Sequence, residues 1–86
     1  MSGPRYRRRV DVLWRLADDR VVARRIGGDG LDLVGAAAMV WVALDQGRVA
    51  GDVLFELQTS DPSASTQHVD QALAQLMDAG LVEVVQ

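Results

Sequence analysis

The sequence predicts an α+β fold: a three-stranded antiparallel sheet, then three helices in a winged helix-turn-helix-like order, with room for a short C-terminal strand. Three observations predict it. Apolar residues alternate on both sides of the acidic pair Asp18 and Asp19, which is the period of a half-buried strand pair. Three glycines and Asp29 at 27–30 then break the alternation. Beyond Gly35 the apolar spacing changes to three and four, the period of helices that pack by one face.

Residues 1–9, MSGPRYRRR, have no apolar period and read as a loose, flexible basic arm; one domain fills 10–86. Val12, Trp14 and Leu16 lie on one side of the first strand, and Leu13, Arg15 and Ala17 on the other. A two-residue turn at Asp18 and Asp19 pairs Leu16 with Val21 and Trp14 with Ala23. The face of Val12, Trp14, Leu16, Val21 and Ala23 is then wholly apolar, with Arg15, Arg20 and Arg24 on the wet side. The run 31–34 supplies the third strand. A three-residue loop before it sets Arg24 opposite Asp32 and brings Leu31 and Leu33 to the apolar face. A four-residue loop would put both leucines in solvent, so the shorter loop is preferred.

The first helix covers 36–45, rich in alanine and carrying Met39, Val40, Trp41 and Leu44, with Gly47 as its stop. The second covers 49–57, with Val53, Leu54 and Leu57 as its stripe, and Asp61, Pro62 and Ser63 break the chain after it. Ser65 or Thr66 caps the third, 66–79, whose stripe is Val69, Ala72, Leu73 and Leu76. Ala79 and Gly80 end it, and 81–85 alternates around Glu83 as a last short strand. Trp14, Trp41 and Phe55 read as core residues, and His68 as a surface or capping residue.

Composition excludes several functions. The 86 residues make one small domain. No cysteine is present, so there are no disulfides, thiolate metal sites or cysteine nucleophiles, and the single histidine, His68, rules out a histidine metal cluster. No apolar run approaches the length of a membrane span and no signal segment is evident, so the expected compartment is the cytoplasm. The net charge of −3 hides a strong polarity: residues 1–25 carry eight arginines against three acids, and residues 26–86 one arginine against nine acids. The basic end suits phosphates or an acidic partner, while the acidic remainder repels nucleic acid.

Three stretches together have a recognisable order: VLWRLADDRVVARRI, then GLDLVGAAAMVWVALDQGRVAGDVLFEL, then HVDQALAQLMDAGLVEVV. A strand runs into a small-residue helix start at Leu33, Val34, Gly35, Ala36 and Ala37. A short glycine turn follows at Asp45, Gln46, Gly47, Arg48 and Val49, then an acid with aliphatics at Asp52, Val53 and Leu54. Leu76, Gly80 and Leu81 close the third helix. Over 10–86 this order resembles the PqqD-like family, the small domains called RiPP recognition elements.

The resemblance implies a stand-alone domain that binds the leader segment of a ribosomally made precursor peptide. Such a domain delivers the peptide to a modifying enzyme, either a radical enzyme or a protease or cyclase. It implies no catalysis, no cofactor and no metal. The peptide would add as a strand beside Leu31, Asp32, Leu33 and Val34, against the third helix. Candidate helix residues are Asp70, Leu73 and Met77 on one flank, and His68, Ala72 and Gln75 on the other; the sequence leaves the flank open. Four added main-chain hydrogen bonds contribute about 0.5–1.5 kcal/mol each, and two or three buried peptide side chains about 1.5–3 kcal/mol each. Ordering the peptide costs about 1 kcal/mol or more per residue, so side chains of the third helix must contribute.

Two other classes fit less well. A winged-helix DNA reader needs basic side chains on its recognition helix, and the third helix has neither arginine nor lysine; only the basic arm favours that reading. Enzymatic chemistry would need a cavity that so short a chain cannot easily build. The glycines at 27–30 lack the lysine and helix start of a phosphate loop. The arginines at 5–9 read as a solvated arm, or as a contact for an acidic leader or the partner enzyme.

Overall fold

The computed structural model describes residues 3–44 and 47–85. In chain order the elements are β1 (Arg5–Arg8), β2 (Val12–Leu16), β3 (Val21–Arg25), β4 (Gly30–Leu33), α1 (Gly35–Ala43), β5 (Arg48–Val49), α2 (Ala50–Ser60), α3 (Thr66–Asp78) and β6 (Val82–Val85). The fold is α+β, with two three-stranded antiparallel sheets in place of the single expected one: β2-β3-β4, with β3 central, and β5-β1-β6, with β1 central.

The first sheet follows the alternation in the sequence. Leu16 pairs with Val21 and Trp14 with Ala23, as the two-residue turn requires. The second hairpin keeps the expected face and shifts its register: Asp32 stands opposite Val22, and Arg24 opposite Gly30. A shift of two residues leaves every side chain on its own face. Leu31 and Leu33 therefore still share the side of Val21 and Ala23. Asp32 instead accepts a hydrogen bond from Arg20 at 3.0 Å.

The second sheet corrects the reading of the N-terminus. Arg5–Arg8 form a strand and not a loose arm, paired with Val82–Val85 on one side and Arg48–Val49 on the other. Arginines satisfy its margins. Arg7 bonds Glu83, Arg9 bonds Asp11 at 3.0 Å and Glu83 at 3.5 Å, and Arg5 donates to the carbonyl of Gly47 at 3.2 Å. Tyr6 packs against the core from this strand. Asp45 and Gln46 of the expected glycine turn lie outside the described residues.

The helices bury one another. Trp41, Val40 and Leu44 meet Val53 and Leu57 from α2, and Val69, Leu73 and Leu76 from α3. Val12, Val21, Ala23 and Leu33 extend that core beneath the first sheet, and Leu81 and Val82 extend it at the chain end. Ser65 caps α3: its hydroxyl accepts from the His68 N–H at 3.4 Å, and His68 Nδ1 accepts from the Ser65 N–H at 3.3 Å. Past the other end, the Gly80 N–H donates to Met77 and the Leu81 N–H to Leu76, which is a Schellman closure with Gly80 at φ +75°. Of the three expected core aromatics only Trp41 is buried; Trp14, at the end of its sheet row, is 39% exposed, and Phe55 is the more fully misplaced. It lies opposite Val53 and Leu57 around α2 and is 76% exposed.

Candidate functional site

Among the described residues β4 pairs only with β3, so its other margin is open. Hydrogen-bond parity fixes which groups it presents. The Ile26 N–H donates to Asp11 and the Ala17 N–H to Arg20, both at 2.8 Å. In an antiparallel ladder, bonded and non-bonded pairs alternate. Even-numbered residues of β3 therefore bond toward β2, and Val21 and Ala23 bond toward β4. Their partners Leu33 and Leu31 spend their main-chain groups inward. The N–H and C=O of Gly30 and Asp32 point outward. Val34, extended at φ −131° and ψ 162°, continues the row with its N–H, while its carbonyl serves α1 as the N-cap.

The side chains around this margin are apolar and half open. Trp14, Ala23 and Leu31 form one row across the sheet. Ala23 is sealed, whereas Trp14 and Leu31 at the two ends are each 39% exposed. At the β2 end the row is already occupied: the Arg8 guanidinium lies 4.7 Å from the Trp14 ring, and Trp41 meets Trp14 edge-on at 6.0 Å. At the β4 end Leu31 and the exposed Val34 face solvent. The Asp32 side chain is held on the far face by Arg20, which also bonds Asp19 at 3.1 Å; both carboxylates push the Arg20 pKa up.

The eight residues singled out from the sequence divide into two groups. Leu31, Asp32, Val34, Asp70 and Met77 are exposed, while Leu33, Ala72 and Leu73 are buried. Ala72 and Leu73 sit on the stripe by which α3 packs into the core, so they cannot line an open groove. Asp70 and Met77 lie on the solvent side of the same flank, and Met77 is 41% exposed. The C-terminal end of α3 comes up to β3: a Cβ on Gly80 would stand 3.0 Å from Arg25 Nη1.

A cleft of about 520 Å³ opens elsewhere, between the β2–β3 turn and the helices, lined by Leu16, Arg20, Met39, Val42 and Leu57 among others. The sequence carried a signal for it: α1 is apolar all round, more than one covered face can use. Among the described residues no cluster of three or more His, Cys, Asp or Glu residues could hold a metal ion. No helix among them is long and apolar enough to cross a membrane. Comparisons with protein-family models, with curated proteins and with solved structures each return no match.

Proposed function

We propose that this chain is a peptide-binding domain of the PqqD-like kind, a winged helix-turn-helix-like module with no chemistry of its own. It takes the leader segment of a ribosomal precursor peptide as an added strand on β4 and hands it to a modifying enzyme. The observation that carries this reading is the open margin of β4. It offers the N–H and C=O groups of Gly30 and Asp32 and the N–H of Val34 beside the half-exposed Leu31. Strand addition supplies affinity through such groups and specificity through alternate side chains. Leu31 and Val34 are the apolar side chains this margin offers a guest, and Met77 is exposed on α3.

The DNA-binding alternative loses its main support. Arg5, Arg7 and Arg9 are engaged within the protein, so the basic segment is not a free arm for phosphates.

The test is a titration with the leader segment of a precursor peptide encoded beside this chain. Saturable binding is expected. Asp32→Pro removes the central outward N–H without touching the β3 ladder, and should weaken binding by about tenfold or more. Unchanged affinity in a folded Asp32→Pro variant would reject the site.

A further inference from the structure

Seven of the nine arginines are engaged: Arg5, Arg7, Arg9, Arg20, Arg25 and Arg48 in hydrogen bonds or ion pairs, and Arg8 over two tryptophan rings. Arg15 and Arg24 alone have no partner among the described residues. They stand on the same outward face of the first sheet, on adjacent strands. Arg15 is opposite Val22 and Arg24 opposite Leu13, so the two cations are diagonal neighbours, about 7–8 Å apart at the backbone.

The other diagonal of this square is apolar. Leu13 is 55% exposed and Val22 is half-buried. A shallow depression of about 280 Å³ lies over them, lined by Leu13, Arg15, Val22 and Arg24, with Gly30 leaving space beside Arg24. An acid that neutralised either arginine from within would fill this hollow.

We propose that this face docks an acidic helical segment of a partner protein, in which two carboxylates one turn apart share a face with an apolar side chain. On a strand the residue between two such carboxylates points to the opposite face, whereas on a helix carboxylates at i and i+4 are about 5–6 Å apart and an apolar residue at i+3 shares their face. The helical spacing suits the arginine diagonal, with the apolar side chain set on Leu13 and Val22. The apolar pair favours protein over a phosphate backbone, because phosphates leave an exposed leucine uncovered. This surface adjoins the open margin of β4 at Gly30 but uses none of that margin's main-chain groups.

A synthetic helical peptide with glutamates at i and i+4 and leucine at i+3 serves as probe, with a serine-for-glutamate version as control. Amide signals are followed by NMR. Saturable changes at Leu13, Arg15, Val22 and Arg24 are expected from the acidic peptide and not from its control, and they should weaken as salt is added. Arg15→Gln with Arg24→Gln, both on the outer face, should leave the fold intact and reduce affinity about tenfold. Changes confined to Gly30, Asp32 and Val34, or an affinity indifferent to the double variant, would overturn the proposal. Tighter binding of a short DNA duplex through the same two arginines would overturn it too.

Discussion

Arg20 and Asp32 are joined across β3 and β4, guanidinium to carboxylate, at 3.0 Å. The pleat of β4 places the Asp32 side chain on the outer face of the sheet, where this contact holds it, while its main-chain groups face the open margin. Side chain and backbone at one position therefore have separate tasks, and substitutions separate them. Asp32→Asn loses the ion pair alone. The pair is solvent-exposed, so the urea midpoint should hardly move, and leader affinity should persist. Asp32→Pro keeps the inward ladder and loses the outward donor, so affinity should fall while the circular dichroism spectrum is retained.

Leu73 and Phe55 should respond in opposite ways to the same truncation. Leu73 is 3% exposed within the helical core, and Phe55 is 76% exposed. Leu73→Ala should cost about 2–5 kcal/mol in denaturant unfolding. Phe55→Ala should change stability by no more than about 0.5 kcal/mol. Leu73→Asp would unfold the domain, so Met77→Asp is the informative variant for the flank of α3.

Gly80 and Gly51 form a second contrasting pair. Gly80 closes α3 at φ +75°, with the Arg25 guanidinium where a side chain would begin. Gly80→Ala should destabilise the domain by about 1–2 kcal/mol. Gly51 lies in the first turn of α2, where an added methyl group would meet nothing within 4 Å. Gly51→Ala should stabilise by about 0.4–1 kcal/mol, chiefly through the unfolded chain. Thermal unfolding of the two variants reads both signs.

Acid should destabilise the fold through two aspartates. The hydrogen bond from Arg9 holds the Asp11 carboxyl below its ordinary value, aided by the charges of Arg9 and Arg25. Hydrogen bonds from Ser63 do the same for Asp61. A carboxyl with a depressed folded-state pKa contributes stability that is present above the unfolded value and lost as pH falls through the folded one. Stability should therefore be flat near neutrality with respect to these groups and decline below about pH 4. Asp11→Asn should be less stable at neutral pH and show a shallower decline, measured as urea midpoint against pH.

The hairpin was legible because its two faces differ: alternation fixed both the turn at Asp18 and Asp19 and the pairing of Trp14 with Ala23. The helices were legible from their stripes, and Ser65 from its position before one. Arg5–Arg8 could not be read as a strand. Its partners include Glu83, 76 residues from Arg7 in sequence, and charged pairs along a strand leave no apolar period. The two-residue shift opposite β4 was equally hidden, because a shift of two keeps every side chain on its face. At the candidate site, Leu31 through Val34 were found by position. The split of the α3 candidates into buried Leu73 and exposed Met77 depended on how α3 rotates against α1 and α2.

The most direct measurement is amide hydrogen exchange, residue by residue, with and without the leader peptide. Strand addition on β4 predicts that Gly30, Asp32 and Val34 gain protection on binding while Trp14 and Leu16, at the opposite margin, do not. Protection gained at Trp14 and Leu16, with Gly30, Asp32 and Val34 still exchanging freely, would contradict it.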